Sequence, residues 1–535
     1  MKRSLKTCVH PDGRFLVGLH RPSYEVLNLR ESDHIFELGV DENGKPVRNE
    51  RNFPEGDLAF DSAQPIYEIP NAFPFWGTTY ILSEAARRAS TRDVPLSFKP
   101  KGNTSFKGWD VLDDVELERV PRPIILAIAQ TCRDGELLAR LLPLAADFHR
   151  DPGGEIVGLK FARGKDGNPR PCIKDHDLYE TLGNNPSLPD RLKEVMLLRP
   201  GVQGGSPIVG EFLCKKKCHI WEYLRANSYI PWGHFAANMA EDSVRYSVDD
   251  LDMDDVRGLR HLYYQRVFCS LAHELGIDFD RSGLLAEEEL EGLREKVLSG
   301  IRSGRASGLR FSATLWGWNY GYDFSPSGYR LHASHQQIHQ QFALVPEWVE
   351  DWSGNGQKLP SYAVGDSVAA FIDAYEKETG AGFFDAYLKA IMSNDRTDGQ
   401  KGPPKELVVF RDDNVILFVP KAQRSQGELQ VMATTQVGNI LEADSTLRRG
   451  LDRAILLGVK VLAALGARMI TSYEVSKRFD SSLDQRIFYC LLPKHPQSPG
   501  AFSEQQGRWI TGHFPEDFAR SCRERLEDIL KRLQL

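Results

Sequence analysis

No apolar stretch in this 535-residue chain approaches the length needed to cross a bilayer, and the basic start MKRSLKTCVHPDGR has no apolar segment behind it. No membrane-spanning helix is expected, and a cytoplasmic protein with no membrane partner is the expectation. Nor is there a basic excess. Against 67 Lys and Arg stand 74 Asp and Glu, a net charge of -7 that argues against a general nucleic-acid binder but leaves room for a local phosphate site. Cysteine is sparse: the 8 residues, at positions 8, 132, 172, 214, 218, 269, 490 and 522, are scattered and not grouped as in a disulfide framework, so reduced thiols are expected. The glycine-rich passage from Gly201 to Gly205 lacks the Gly-Lys-Ser/Thr ending of a phosphate-binding P-loop, and no Gly-x-Ser-x-Gly nucleophile elbow occurs.

What is present is the composition of a globular protein, 41% hydrophobic and 26% charged, in a chain long enough for two to four domains. Turn chemistry punctuates the first 200 residues, at Pro11-Asp12-Gly13, Asp41 to Gly44 and Lys165 to Asn168. Short strands are expected at Arg14 to Leu19 and Thr78 to Leu82, with helices at Ser83 to Ala89 and Pro123 to Phe148, the latter kinked at Pro143. After the connector Arg199 to Pro207 come a strand pair over Ser228 to Met239, a helix from Met253 to Leu275 and a second from Ala286 to Leu298. A strand over Leu309 to Tyr322 and a closing strand around residue 339 end this unit. A similar order then recurs, with strands at Leu407 to Phe410, Val415 to Val419 and Glu428 to Ala433, a helix at Thr446 to Leu465, and strands at Met469 to Val475 and Ile487 to Leu492. A charged amphipathic helix, Pro515 to Leu535, ends the chain.

The chemistry is concentrated in LWGWNYGYDFSPSGYRLHASHQQIHQQFALVP, Leu315 to Pro346. A strand here projects Gln337, His339 and Gln341 to one side and Ile338, Gln340 and Phe342 to the other. The result is one polar stripe with an imidazole at its centre. Such a stripe is either the wet face of an edge strand or a site. An imidazole with a reference pKa of about 6.5 is neutral near pH 7, can attack phosphorus and can later leave. Gln341 adds an uncharged amide donor for phosphate oxygens.

The run Ser334-His335-Gln336-Gln337-Ile338-His339-Gln340-Gln341 resembles the Ser-x-x-His-x-His-x-Gln signature of the galactose-1-phosphate uridylyltransferase and dinucleoside polyphosphate phosphorylase branch of the histidine-triad superfamily. The resemblance puts Ser334 on the family serine, His339 on the nucleophile and Gln341 on the phosphate-holding glutamine, and it makes Asn319 and Gly321 look like the family's Asn-x-Gly. Gln337 stands where the family carries its first histidine. His335, of the same strand parity as His339, is either a site residue, as a phosphate contact, proton donor or metal ligand, or a loop residue. The fold implied is α+β, with two histidine-triad-like repeats, each an antiparallel sheet with helices: residues 1–200 as a mixed region of unknown role, 201–350 as the repeat with the active strand, and 351–535 as a degenerate repeat. Counting back from Pro346 and Pro493 sets Arg486 opposite His339 and Phe488 opposite Gln341, so the second copy has lost the nucleophile.

The activity implied is nucleotidyl transfer or phosphorolysis on a nucleotide sugar or dinucleoside polyphosphate, with a sugar phosphate or inorganic phosphate as acceptor, and a homodimer is one assembly to consider. Lys421 and Arg424 are candidates to reach a sugar phosphate from the second repeat. Cys214 and Cys218 stand where the family often has a zinc pair, here spaced Cys-x-x-x-Cys; they are either part of a structural zinc site or reduced cysteines at a strand end. The proposed chemistry itself requires no cofactor. A hydrolase of the same fold and a non-catalytic nucleotide-binding protein are the competing classes.

Overall fold

The computed structural model describes residues 6–26, 30, 35–53, 55–60, 64–91, 113–163, 169–185, 187–197, 251–279, 285–304, 309–321, 339–467, 469–494, 503 and 505–533. Near the N-terminus lie strands β1 (Gly18–His20), β2 (Ile66–Pro70) and β3 (Thr78–Leu82), followed by helix α1 (Ser83–Ser90). A helical unit follows, with α2 (Arg122–Thr131), α3 (Gly135–Ala145), α4 (His176–Asn184) and α5 (Asp190–Leu197). Next come α6 (Met253–Glu274), α7 (Glu287–Arg302), β4 (Ala313–Gly321), β5 (His339–Val345), α8 (Val364–Thr379) and α9 (Phe383–Met392). The last stretch holds β6 (Val408–Arg411), β7 (Val415–Phe418), β8 (Leu429–Ala433), α10 (Ser445–Ala464), β9 (Met469–Val475), β10 (Phe488–Lys494), β11 (Arg508–Thr511) and α11 (Pro515–Leu533).

Seven of these strands form one antiparallel sheet in the order β5-β4-β9-β10-β8-β7-β6. In the middle of that order two units meet: α6 and α7 lead into β4 and its partner β5, α10 leads into β9 and its partner β10, and the two long strands pair with each other, Gly317 opposite Tyr473 and Asn319 opposite Thr471. Each unit begins on a strong helix signal. Asp252 accepts from the Asp255 amide in a capping box that opens α6, and Asp444 accepts from the Leu447 amide to open α10.

The sheet has a core on both faces. One face carries Trp316, Trp318, Ile470, Tyr489, Leu491, Val431 and Leu417 against α6, α10 and α11. The opposite face carries Val475, Phe488, Cys490, Met432, Ile416 and Phe418, packed against α8, α9 and the N-terminal residues Cys8, Val9, Ile69, Phe73 and Ile81. Phe73 stacks on Phe488 with ring centroids 5.3 Å apart and planes 3° from parallel. The helical unit from Leu117 to Met196 has a core of its own. Within it, the helix expected from Pro123 to Phe148 is two helices: the chain leaves helical geometry at Cys132, Asp134 recaps it by accepting from the Glu136 and Leu137 amides, and Phe148 already belongs to a strand. The expected strand pair over Ser228 to Met239 and the boundary near residue 200 lie outside the described residues.

The first and last parts of the chain share a second sheet, ordered β11-β3-β2-β1, in which β11 runs parallel to β3. His513, in the turn between β11 and α11, is buried, and loss of hydration pushes its imidazole down to about 4, with Asp517 opposing. In the unfolded chain the imidazole titrates near 6.5. Between those values the native state binds fewer protons than the unfolded state, so the stability it supplies is complete above the upper value and is lost as the pH falls towards the lower one. Wild type should lose about 2 to 3 kcal/mol from this group between pH 7 and pH 4.5. Urea midpoints of wild type and His513→Gln at both pH values test this; equal acid losses in the two proteins would refute it.

Candidate functional site

Strand β5 sits at the end of the described sheet and pairs with β4 from Ala313 opposite Val345 to Asn319 opposite His339. This places residue 339 at the strand's first position, directly across from Asn319, and Gln341 across from Gly317. Antiparallel partners in register share a face, so the rows continue across the junction: Gln341, Gly317, Tyr473 and Cys490 in one, residue 339, Asn319, Thr471 and Leu492 in the next. The alternation expected of the strand holds over its described side chains. Gln340 accepts a 2.9 Å hydrogen bond from the Trp316 indole and Phe342 packs 5.5 Å from Tyr263, while Gln341 and Ala343 are exposed on the opposite face.

That second face is open at one end and sealed at the other. Gln341, Ala343 and Leu315 are exposed, Gly317, Asn319, Thr471 and Tyr473 are half-buried, and Phe488, Cys490, Gln430 and Phe418 are buried under the N-terminal segment. Arg424 stands at the transition. Its guanidinium lies 3.8 Å from the centre of the Trp76 ring, donates to the Tyr473 hydroxyl, and is held by the buried carboxylate of Glu428, whose Oε1 it meets at 3.2 Å through Nε. Tyr473, Arg424 and Trp76 therefore form a wall at the limit of the open face.

Asn319, residue 339 and Gln341 are brought together on adjacent strands. Lys421 and Arg424 are placed in the interior, and their charges are met there: Lys421 donates to Glu516 Oε1 at 2.6 Å, Asn394 Oδ1 at 2.9 Å and the Asp395 carbonyl at 2.8 Å. Ser334, His335, Gln337, Cys214 and Cys218 lie outside the described residues. Among the described residues no group of three or more His, Cys, Asp and Glu side chains is arranged to hold a metal ion, and no helix is long and apolar enough to cross a membrane.

The two positions that counting along the sequence sets opposite residues 339 and 341 hold structural side chains. Arg486 is buried, donating to Asp385 Oδ1 at 2.5 Å and to the Thr434 carbonyl at 2.8 Å, and Phe488 is covered by Phe73. Sequence reasoning missed Gly317, Thr471 and Tyr473 as neighbours of the motif. The one local signal was the glycine that interrupts the aromatic run Trp316-Gly317-Trp318.

No protein-family model matches this chain, and no curated protein matches it. Among solved structures it is similar to a uridylyltransferase, at 10% identity over 46% of this chain and 69% of the other, with a TM-score of 0.32. It is also similar to a GalT-like protein from Arabidopsis thaliana, at 14% identity over 52% of this chain and 71% of the other, with a TM-score of 0.33. An ADP-glucose phosphorylase from Arabidopsis thaliana with bound ADP-glucose is similar at 14% identity over 52% and 69% of the two chains, with a TM-score of 0.34.

Proposed function

We propose that this chain is a nucleotidyltransferase or phosphorylase acting on a nucleotide sugar or a dinucleoside polyphosphate, with His339 as the nucleophile. The observation that carries the proposal is the His-x-Gln pair on the end strand of the sheet, with Asn319 in register across from residue 339. In the first step a ring nitrogen of His339 forms a bond to the α-phosphorus, and the bond from phosphorus to the departing sugar phosphate or nucleotide oxygen breaks with its electron pair. In the second, an oxygen of the acceptor phosphate attacks the same phosphorus and the imidazole leaves, regenerating the free enzyme. Gln341 donates its amide to the nonbridging oxygens as charge develops on them, and Asn319 contributes a further amide to the same phosphate. An imidazole suits both steps because its reference pKa of about 6.5 leaves it largely neutral near pH 7 and makes it a competent leaving group once protonated.

We further propose that the two helix–strand–strand units are histidine-triad-like repeats, one active and one degenerate. Their recurrence about the β4 and β9 junction supports this, as does the use of Arg486 and Phe488 for packing. Cys214 and Cys218, whether part of a structural zinc site or reduced cysteines, are not called on in either chemical step.

The test is intact-protein mass spectrometry after incubation with UDP-, ADP- and GDP-sugars and a diadenosine polyphosphate, with no acceptor present. The expected result is a mass increase of one nucleoside monophosphate with one donor class, reversed on adding phosphate or a sugar phosphate. A chain that consumes a donor at full rate without any acceptor is a hydrolase, and one that acquires no mass and consumes nothing ends the proposal.

A further inference from the structure

Gly317 lies in the interior of β4, where glycine costs roughly 0.5 to 1 kcal/mol relative to a residue with a side chain. Nothing in the backbone asks for it, since its φ is not in the left-handed region. Nor does packing: a Cβ there would meet only the Ser472 carbonyl oxygen, at 3.4 Å, among the described residues. Other glycines of the fold behave differently. A Cβ on Gly365 would lie 1.8 Å from the Ser476 carbonyl oxygen, one on Gly438 2.3 Å from the Gln485 carbonyl oxygen, and one on Gly458 2.5 Å from Leu491, so those positions are glycine because the fold closes on them. At Gly317 no described residue closes on the position, and a glycine in a strand interior often marks the close approach of a ligand.

The missing side chain makes a notch between two strands about 10 Å apart, with Gln341 on one flank and Tyr473 on the other. Along the rows, Asn319 and Thr471 add an amide and a hydroxyl. All four neighbours are uncharged, and the cations nearest the wall are already answered, Arg424 by Glu428 and Lys421 by Glu516. Among the described residues a second phosphate would therefore find no free charge here. Amide and hydroxyl groups, which both donate and accept, beside an aromatic side chain suit a ring that carries hydroxyls.

We infer that the notch at Gly317 seats a sugar ring of the nucleotide substrate against Tyr473. This rests on the proposed nucleotidyl transfer at the neighbouring residues. Two sugars share that chemistry, the ribose of the nucleotide and the sugar of the departing group, and binding measurements separate them.

The full chain should be prepared as wild type, Gly317→Ala, Gly317→Val and, as a control further along the same open face, Ala343→Val. Thermal melting, nucleotide-sugar KM and binding of the nucleoside monophosphate are measured for each. Valine favours strands, so Gly317→Val should melt within a few degrees of wild type while its KM rises at least tenfold; Gly317→Ala should show a smaller rise and Ala343→Val none. Loss of monophosphate binding in step with the KM effect assigns the notch to ribose, and retained monophosphate binding assigns it to the departing sugar. A folded Gly317→Val with wild-type KM overturns the inference and leaves the proposed reaction standing. If Gly317→Val unfolds, a stable Gly317→Ala with unchanged KM overturns it equally. Failure of the wild type to turn over any nucleotide defeats the reaction itself and this inference with it, and is visible before a variant is made.

Discussion

Replacing His339 by alanine should leave a folded protein that no longer acquires nucleotide mass and whose turnover falls by at least about a thousandfold. Residue 339 is the first of its strand, and the register of β5 on β4 is kept by the pairs from Ala313–Val345 to Trp318–Gln340 and by the Trp316 to Gln340 hydrogen bond. The strand is therefore held by its other pairs, while a covalent mechanism requires the imidazole. Gln341→Ala gives the complementary result. On the proposed mechanism its amide acts on charge developing at phosphorus, so the variant should still be labelled, but about a hundredfold more slowly. Single-turnover labelling of the two variants separates the roles. Undiminished turnover in His339→Ala would remove the nucleophile from the mechanism.

Much of the sheet was legible because its signals are local. The helix expected from Met253 to Leu275 is α6 to within a residue, and its start is fixed by acidic groups that cap it. Strands β7 to β10 follow runs of β-branched and aromatic residues between turn residues. The partners of those strands were not legible, because pairing is a property of distant segments. Nothing in residues 66 to 82 announces that β3 will take β11 as its neighbour more than 400 positions later, or that Phe73 will cover Phe488. The same limit applied at the site. The polar stripe could be read from period-2 spacing, but Tyr473 and Thr471 joined it only through the register of β9 on β4. Lys421 and Arg424 looked like spare cations for a comparable reason: Glu516 lies 95 residues beyond Lys421, and only the fold makes it a counter-ion.

Arg260→Ala should be among the most destabilising single changes in the chain, at about 3 to 5 kcal/mol. The guanidinium is fully buried between α6 and the sheet, where Nε donates to Asp452 Oδ1 at 2.9 Å and Nη2 donates to the hydroxyls of Tyr264 at 2.7 Å and Tyr489 at 2.6 Å. Four rings surround it, those of Tyr263, Tyr264, Trp316 and Tyr489, at 4.4 to 5.3 Å. Glu474 Oε2 lies 3.9 Å from Nη1 and accepts from Tyr489 at 2.5 Å. Removing the cation leaves two carboxylates in an aromatic interior, and burial already pushes Asp452 up with Arg260 in place to oppose it. Arg260→Lys keeps the charge but cannot reproduce the fork that reaches Asp452 and both hydroxyls, so its loss should fall between wild type and alanine. The same cluster joins α6 and α10 to β4, β9 and β10, and so fixes the β4 and β9 junction on which the candidate site is built. Urea unfolding of the three proteins, read beside their nucleotide turnover, checks the argument. Loss of stability and loss of activity should track each other across the series, whereas an Arg260→Ala protein as stable as wild type would show that the buried charge has another partner.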